Sequence, residues 1–588
     1  MNFIRPILLA LSLGLPFAGH AATDARYVPP DAGLNNVREK FGAKGDGVTD
    51  DTAAIQRAID STPRHQTLWL PAGTYLVSTT LTAKNGVGPY VTLRGEGAGK
   101  TVIRLKDGAK GFANPAAPAA VLVVGNKGNM AHGNYLFDLT INTGKGNPGA
   151  IALDYNTSNY GSVVDVDLIS GDGQGAIGLA LTREVGPGLI RRVTVRGFDV
   201  GIKATGALYG IALEHCRLEN QNQVGLWNDG NVLAVRKLTS VNKVPAIRSK
   251  GTLLVLVDSE LTGGDAGGDG IEAAGAALIR NVKVAGYKDA GVVEEKLVGP
   301  ARSLFGAAGK TLNLPVVESP EYHDADPAHW ANVASFHQGA GKIKAAAVQA
   351  AIDSGKPVVY FPAGRKYNMD ETVIVRGNVR RIIGYGNELN GFTTNFRCEN
   401  NEHPVIIEGF KAVGVVEVVG KQPVALQYLP NPTVKMIGEG RTVCLDDVVS
   451  SALKIGKGQR VYARQFNIEL PGPEPMVTND GGLFWALLCK TEFGNTVLKA
   501  GNGSQSELLG GLFYVCQGFG ATGKVPAIIL DNAAFSGSWF DICFADQNIY
   551  DTEVRETAGK ETKELTRRDL GNGTWMVMPL YVGGRRMQ

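Results

Sequence analysis

Seven short strand-like segments recur between residues 135 and 290, and their spacing constrains the fold more than any other feature of the chain. One residue in each segment can be aligned, and successive aligned residues are 27, 27, 23, 22, 21 and 23 positions apart. Such a step holds three short strands and three turns, which is one coil of a parallel β-helix, and it is shorter than the step of helical repeats. The aligned residues are Ile141, Leu168, Val195, Leu218, Ser240, Leu261 and Val284.

Within most of these segments apolar residues alternate with polar ones, as in a strand that buries one face. The chain also contains 77 glycines among its 588 residues. This is nearly double the usual share, and without a collagen period it indicates many tight turns between short strands. The sequence therefore predicts an all-β solenoid.

A second, larger repeat divides the chain. Residues 37–77 read as an amphipathic helix followed by an apolar strand that ends in Pro-Ala-Gly, and residues 345–364 repeat this pattern. A helix of this kind suits the open end of a solenoid, where it covers a core that would otherwise be exposed. We therefore predict two tandem right-handed parallel β-helices, each with an N-terminal capping helix, over residues 30–318 and 325–588.

Residues 1–21 have the layout of a secretory signal peptide. Arg5 is followed by a short apolar stretch, and small residues precede the expected cleavage after Ala21. No segment has the eighteen or so uninterrupted apolar residues of a membrane span. We expect an exported protein, either periplasmic or extracellular, with no membrane span.

The charge and the spacing of potential metal ligands limit the classes of function that the chain can have. The formal net charge is only +3, so nothing indicates the concentrated basic face of a nucleic-acid-binding protein. The eight histidines and six cysteines form none of the close spacings of metal sites, and we expect no metal and no cofactor. Cys489, Cys516 and Cys543 are 27 residues apart, which predicts a column of buried thiols, with a disulfide between neighbours as the alternative.

Glu469 and Glu492 are the strongest candidates for catalysis. They are 23 residues apart in similar segments, so we expect them at equivalent places on adjacent coils. If Cys489 faces inward, Lys490 and Glu492 face outward. Two neighbouring carboxylates repel each other, which raises the pKa of one and favours its protonated form. A protonated carboxyl is the group that glycosidic bond cleavage requires.

Two other interpretations of this pair remain open. Stacked surface glutamates are often simply solvated, or their charge is neutralised here by Lys490 or Arg464. A stacked pair also lies closer than the roughly 6.5–9.5 Å that an inverting glycosidase needs between its carboxyls to seat a water. The water would then be held by diverging side chains or by another residue across the groove.

Sugar sites also require aromatic platforms and polar contacts. Trp227 lies among turn residues and is the best candidate for an exposed platform, with Asp229 and Lys490 as candidate polar contacts. Trp485 and Trp539 are two 27-residue steps apart, in register with the cysteine column, which favours a packing role in the core.

The segment from Phe41 to Gln56, with its Gly-Asp-Gly-Val-Thr-Asp-Asp run, and the following Leu70-Pro-Ala-Gly-Thr-Tyr75 resemble the opening of the pectate-lyase-like β-helix superfamily. The two openings together resemble the layout of the two-β-helix exo-β-1,3-glucanases of glycoside hydrolase family fifty-five, and that of polygalacturonase-related bacterial proteins. In the glucanases the glucan binds between paired solenoids, and Lys490-Thr-Glu492 looks like their segment that holds the proposed acid. The second opening departs from the pattern, because Gln338–Lys344 replaces the acidic run.

These features together predict a secreted glycoside hydrolase that acts on a polysaccharide such as a β-glucan. Glu492 would be the general acid, with Glu469 as a base, a pKa-raising neighbour or a hydroxyl contact. A polysaccharide lyase acting on a uronate-containing glycan is the first alternative. A non-catalytic glycan-binding or surface solenoid is the second.

Overall fold

The computed structural model describes residues 26–84, 90–128, 130–206, 209–264, 267–389, 393–469, 471–515, 524–543, 549–571 and 573–584. Strands dominate this part of the chain. Its α-helices are Val37–Phe41, Thr52–Ser61 and Ala345–Asp353, and its 3₁₀ helices are Pro327–His329, Val333–Phe336 and Arg568–Leu570. None of the helices described is long and apolar enough to cross a membrane.

Two sheets contain the strands before residue 299, and we call them the N-terminal sheets. The 16-stranded sheet contains Asn35–Asn36, Asp46–Asp50, Thr67–Trp69, Gly73–Val77, Thr92–Arg94, Thr101–Leu105, His132–Asn142, Ser158–Ile169, Leu189–Arg196, Ile211–Glu214, Arg217–Glu219, Val232–Arg236, Thr239–Val241, Leu253–Thr262, Ala276–Ala285 and Gly291–Val298. The eight-stranded sheet contains Leu81–Ala83, Ala119–Val124, Ala150–Tyr155, Ile177–Leu181, Val200–Thr205, Val224–Asp229, Ile247–Lys250 and Ile271–Ala273.

Four further sheets contain the strands after residue 300, and we call them the C-terminal sheets. The 12-stranded sheet contains Ala301–Arg302, Trp330–Asn332, Val358–Tyr360, Arg381–Ile383, Val405–Glu408, Val424–Pro430, Thr442–Ser450, Arg460–Glu469, Leu483–Glu492, Gln505–Phe513, Ala534–Ile542 and Trp575–Gly583. The smaller sheets contain Ile343–Lys344 and Tyr367–Asn368; Val373–Gly377, Thr394–Asn401, Val415–Val418 and Thr433–Met436; and Leu453–Ile455, Val477–Asp480, Leu498–Gly501, Ile528–Asp531, Thr552–Ala558 and Glu561–Thr566.

Strand pairing confirms the predicted parallel β-solenoid and its repeat. Nearly all pairs are parallel, with antiparallel pairing where Gly291–Val298, Glu561–Thr566 and Trp575–Gly583 fold back on the sheets. Every aligned residue of the predicted repeat lies opposite the next one, from Ile141 through Leu168 to Val284. The coils therefore differ in length because their turns differ in length, while the strands stay in register.

Each coil of the 16-stranded sheet bends three residues before the aligned position. The bending residue has a left-handed backbone, with φ between 51° and 60°. Asparagine and aspartate tolerate this conformation better than most residues. The bending residues are Asp138, Asp165, Arg192, His215, Lys237, Asp258 and Asn281.

The predicted cysteine column is wrong. Cys489 is a buried free thiol, but it lies opposite Gly511, so the next coil begins 22 residues later rather than 27. Cys516 lies outside the described residues, and Cys543 is only partly buried. The equal spacing of the three cysteines therefore does not reflect the register of the strands.

The N-terminal and C-terminal sheets have separate apolar interiors and meet across a third apolar cluster. That cluster contains Leu189, Ala234 and Val255 from one side and Trp485 and Leu509 from the other, all nearly inaccessible to solvent. Leu189, Ala234 and Val255 occupy outward positions on their strands. The outward face of the 16-stranded sheet is therefore apolar where the C-terminal sheets cover it.

Buried charges also cross this interface. Glu214 is fully buried and accepts hydrogen bonds from Arg464 Nε at 2.9 Å and Arg236 Nη1 at 2.7 Å. Asp446, also fully buried, accepts from Arg191 Nη1 at 2.9 Å. Burial raises the pKa of Glu214, but the three arginines around it, Arg464 first, lower it to about 2.

The segment between the last N-terminal strands and residue 326 runs along the same interface. Glu318 binds Arg236 Nη2 at 2.6 Å and Lys237 Nζ at 2.8 Å, and Glu321 binds Arg192 Nη1 at 2.6 Å. Ser319 Oγ donates to Asp446 at 2.8 Å. This segment is thus held by Arg192 and Lys237, which are bend residues of different coils, together with Arg236 and Asp446.

Replacing Glu214 by glutamine should destabilise the protein by about 3–5 kcal/mol, because it leaves buried arginines without their counter-charge. Urea unfolding followed by circular dichroism measures this loss. Glu260→Gln is the matched control, since Glu260 pairs with Lys283 across two coils but both side chains are largely exposed. Equal unfolding midpoints for the two variants would contradict the importance of the buried network.

Candidate active site

Glu469 and Glu492 end two neighbouring parallel strands, Arg460–Glu469 and Leu483–Glu492. The register places Glu469 directly opposite Glu492, as the 23-residue spacing predicts. Cys489 packs into the interior of the C-terminal sheets, so Lys490 and Glu492 face outward. The strands thus bring both carboxylates to one edge of the interface.

Lys490 lies between the two carboxylates. Its Nζ donates to Glu469 Oε1 at 2.7 Å and to Glu492 Oε2 at 2.5 Å. The lysine side chain is only 3% exposed, whereas the glutamates are 27% and 21% exposed. We call these three residues the Glu–Lys–Glu cluster. Its ammonium offsets the predicted repulsion between the carboxylates, which is one of the alternatives that the sequence left open.

The pKa of Glu469 reflects this arrangement. Burial alone would raise the pKa, but the charge of Lys490 and hydrogen bonds from Glu492, Lys490 and Asn467 lower it to about 2. Glu469 is therefore ionised at any pH at which an enzyme works. It suits the role of a base or an electrostatic partner, and it does not suit that of a proton donor.

Arg464, the other cation that the sequence offered, lies elsewhere. It is fully buried at the interface, where it binds Glu214 and the carbonyl oxygen of Val317. Of Lys490 and Arg464, only Lys490 therefore contacts the two glutamates. Its Nζ also lies 5.3 Å from the centre of the Tyr514 ring.

A groove with a cavity volume of about 60 Å³ lies between the N-terminal and C-terminal sheets, near the cluster. Tyr160 connects the two, because it lines the groove and the charge of Glu469 contributes to its raised pKa, of which burial is the main cause. The other wall aromatics come from both sets of sheets. They are Tyr90, Tyr135, Phe137, Tyr385, Phe410 and Tyr428.

The groove aromatics contact one another in a chain of rings. Tyr135 stacks on Phe137 with centroids 5.5 Å apart, and the edge of Tyr428 meets Phe137 at 5.1 Å. The Tyr135 hydroxyl is buried and has no hydrogen-bond partner among the described residues. Arg94, Glu408 and Lys411 supply charge along the same walls. Aromatic faces with interspersed polar groups are typical of ligand pockets.

Trp227 and Asp229 lie apart from this site. Both belong to Val224–Asp229 of the eight-stranded sheet, where Lys203 Nζ sits 4.7 Å from the centre of the Trp227 ring. The glutamates belong to the 12-stranded sheet. Trp227 is only half-exposed and Asp229 is exposed. The grouping of Trp227 and Asp229 with the glutamates therefore stays a prediction without a structural contact.

Trp485 and Trp539 are both fully buried, as predicted, but they face different clusters. Trp485 packs at the interface beneath Arg236 and Arg464, and Trp539 packs inside the C-terminal sheets. Their predicted common register is wrong, because Trp485 lies opposite Glu507, which in turn lies opposite Ser536 and not Trp539.

Comparisons with known proteins agree with this architecture. Residues 34–269 match the family described as "Rhamnogalacturonase A/epimerase, pectate lyase-like". Residues 34–269 are thus pectate-lyase-like, and the strand pairing shows that the chain folds as a parallel β-solenoid. The resemblance seen in the segment from Phe41 to Tyr75 is thereby confirmed.

Curated relatives match short stretches of this chain. Alginate lyase 7 of Azotobacter vinelandii is 36% identical over 141 residues, which cover 21% of this chain and 16% of the relative. Mannuronan C5-epimerase AlgE5 of the same organism is 49% identical over 78 residues, 12% of this chain and 8% of the relative. A probable glucan endo-1,3-beta-glucosidase of Arthroderma benhamiae is 31% identical over 117 residues, 20% of this chain and 12% of the relative. The chain thus spans less than a fifth of each relative's length.

Solved structures are similar only at low identity. That of sacteLam55A from Streptomyces sp. SirexAA-E has 11% identity and a TM-score of 0.40, covering 92% of this chain and 99% of that one. The A-module of mannuronan C-5 epimerase AlgE6 from Azotobacter vinelandii has 15% identity and a TM-score of 0.23, covering 85% and 93%. The fold assignment therefore rests on strand pairing and on the family match.

The aromatic groove is the part of the site that sequence reasoning missed. Its rings come from both sets of sheets, more than 200 residues apart in the chain, so no local motif unites them. Tyr135 and Phe137 alternate on one strand, which signals a shared face but not its partner. Tyr385 and Tyr428 occupy left-handed positions, where a tyrosine is uncommon, and this conformation is not visible in the sequence.

Lys490→Met should destabilise the protein at neutral pH by about 1.5–3 kcal/mol, the worth of a hydrogen bond to a charged group. Because the folded pKa of Glu469 is lowered, its contribution to stability is present above its unfolded pKa and is lost as pH falls through about 2. The deficit of the variant should therefore shrink from pH 7 towards pH 2. Unfolding midpoints measured across this range test it, and a pH-independent deficit would contradict it.

Proposed function

We propose that this protein is a glycoside hydrolase that cleaves a polysaccharide in the groove between its N-terminal and C-terminal sheets, with Glu492 as general acid. The observation that carries the proposal is the Glu–Lys–Glu cluster, which Tyr160 links to an aromatic groove. Two carboxyls on adjacent coils provide an acid and a base, and rings from both sets of sheets provide faces on which pyranose rings stack.

In the proposed reaction Glu492 donates a proton to the glycosidic oxygen as the bond to the anomeric carbon breaks. Glu469, which Lys490 keeps ionised, accepts the proton of the attacking water. Oxygens that share one ammonium lie closer together than the roughly 6.5–9.5 Å between the carboxyls of an inverting pair. The mechanism therefore requires substrate binding to release Glu492 from Lys490, so that its carboxyl takes up a proton from solvent before donating it to the leaving oxygen.

A neutral glucan is the favoured substrate. The groove walls are rich in aromatic rings, and their charged groups are largely paired, such as Arg94 with Asp138 and Glu408 with Arg381. The similarity to a probable glucan endo-1,3-beta-glucosidase, although restricted to 20% of the chain, supports this substrate. The resemblance of Lys490-Thr-Glu492 to the acid segment of the exo-β-1,3-glucanases points the same way.

The proposal extends to the organisation of the chain. The two sets of sheets would be tandem β-helices over residues 30–318 and 325–588, with Thr52–Ser61 and Ala345–Asp353 as their capping helices. Separate apolar interiors support this division, and among the described strands of residues 30–318 only Ala301–Arg302 pairs with a C-terminal sheet. Residues 1–21, predicted to be a signal peptide that directs export, lie outside the described residues.

Elimination from a uronate-containing polysaccharide is the second candidate. The similarity to alginate lyase 7 supports it, as does the groove chemistry. Lys411 and Arg94 could neutralise a sugar carboxylate if they exchange their partners Glu388 and Asp138 for it, and the unpartnered Tyr135 hydroxyl could exchange a proton. Products separate the two candidates, because only elimination yields an unsaturated uronate with ultraviolet absorbance. A non-catalytic glycan-binding solenoid would give no products from either polymer.

Glu492→Gln should lower kcat on an unactivated glucan by roughly 10²–10⁴-fold, the usual worth of general acid catalysis. The loss should be smaller on a glycosyl fluoride, whose leaving group needs no proton. Reducing-sugar release and fluoride release measure the two reactions. Glu260→Gln, which changes an exposed Glu–Lys pair, is the control. Wild-type turnover of Glu492→Gln on the glucan would refute this assignment.

Tyr90→Ala should weaken glucan binding by roughly 5- to 100-fold without changing the fold, because an aromatic platform contributes about 1–3 kcal/mol when it stacks on a ring. Isothermal titration in a Glu492→Gln background measures binding in the absence of cleavage. Trp575→Ala, which removes an exposed ring outside the groove, provides the comparison. Unchanged affinity in the Tyr90 variant would exclude the groove as the glucan site.

A further inference from the structure

A bulge in the N-terminal sheets reaches the Glu–Lys–Glu cluster. The pairing of Ser158–Ile169 with the preceding strand shifts between Ser158 and Gly161, and Asn159 has a left-handed backbone with φ of 62°. The Asn159 carbonyl oxygen accepts from Gln465 Nε2 at 3.0 Å, and its side-chain oxygen accepts from Lys490 Nζ at 3.3 Å. The bulge therefore contacts the residue that binds both glutamates.

Asp447, on the 12-stranded sheet, holds this bulge in place. Its Oδ2 accepts from the Gly161 amide at 2.9 Å and from Ser162 Oγ at 2.7 Å, and its Oδ1 accepts from Gln465 Nε2 at 2.8 Å. The carboxyl is fully buried, and all of these donors are neutral. Gln465 bonds both Asp447 and the Asn159 carbonyl, so the carboxyl and the bulge form one connected network.

We propose that Asp447 is a positioning residue that sets the Glu–Lys–Glu cluster for catalysis by holding the bulge that carries Asn159 and Tyr160. Asp447 is not placed to touch substrate. It acts through Asn159 on Lys490, and through Tyr160 on the point where the groove meets the cluster. The catalytic part of this inference rests on the proposed function, whereas the structural coupling from Asp447 to Lys490 does not.

The protonation state of Asp447 should control the coupling. Its pKa is raised to about 6 by burial, which outweighs the hydrogen bonds from Ser162, Gly161 and Gln465, and the nearby Asp446 carboxylate raises it further. The other titratable groups facing it are Tyr135, Tyr155 and Tyr160.

Every group that bonds Asp447 donates to it, so the carboxyl must accept. The Gly161 amide and Gln465 Nε2 can only donate. Protonation therefore removes an acceptor site from the network and loosens the bulge. Activity should fall as pH drops through about 6. Glu469, with a pKa of about 2, cannot produce this limb of the profile.

Asp447→Asn tests the inference, because its amide nitrogen faces groups that also donate. Reductive methylation of Lys490, mapped by mass spectrometry, should rise clearly above the wild-type level in this variant. The kcat on glucan should fall by roughly 10- to 100-fold, the cost of misplacing a catalytic group by about 1 Å. KM should change little, and the acid limb near pH 6 should disappear. Ser162→Ala, which removes one donor, should raise Lys490 labelling and lower kcat to a smaller extent. It should also move the acid limb to higher pH, because the Ser162 hydrogen bond lowers the pKa of Asp447.

Glu507→Gln is the matched control. Glu507 is a buried carboxylate at the same interface, where it accepts from Arg280 and the Asn313 amide, and it has no bond to the bulge. This variant should lose stability but keep the Lys490 labelling and the acid limb of wild type.

The outcomes separate the two proposals. Raised Lys490 labelling without any change in turnover would support the coupling and overturn the proposed catalytic role of the cluster. Lys490 labelling and an acid limb identical to wild type in folded Asp447→Asn and Ser162→Ala would overturn the positioning role itself. If Asp447→Asn does not fold, Ser162→Ala decides by the same two measurements.

Discussion

The interface between the N-terminal and C-terminal sheets is the feature on which the rest of the structure depends. Its apolar part covers the outward face of the 16-stranded sheet, and its buried ions lie at the centre of that contact. Burying Glu214 and three arginines without their partners would cost several kcal/mol, so the network is favourable only in this one docking arrangement. The charges thereby set the relative position of the two sets of sheets.

That relative position creates the site. The Glu–Lys–Glu cluster belongs to the C-terminal sheets alone, but Asn159 and Tyr160 reach it from the N-terminal sheets. The groove likewise has one wall from each side. A site at such a boundary combines rigid strand positions with a cleft that neither surface has by itself. The strands hold the side chains in rigid positions, and the interface encloses the cleft.

Much of the fold could be predicted because a solenoid repeats locally. One coil step and an alternating pattern were enough to align residues from Ile141 to Val284 and to pair Glu469 with Glu492. The cysteine column failed because equal spacing in the sequence is not equal spacing in register, since turns of different length separate the strands. Equal spacing of single residues predicts strand register only when the whole strand pattern repeats at the same interval.

By itself the sequence determined the all-β solenoid, its coil register and the adjacency of the two glutamates, since all three follow from short-range patterns. Only the tertiary structure decided what surrounds them. Lys490 has a position that the alternation predicts, but its burial between the carboxylates depends on Asn159 from the opposite sheets. The aromatic groove and the buried network of Asp447 arise in the same way. Contacts between surfaces hundreds of residues apart depend on docking, and no local pattern in the chain encodes that docking.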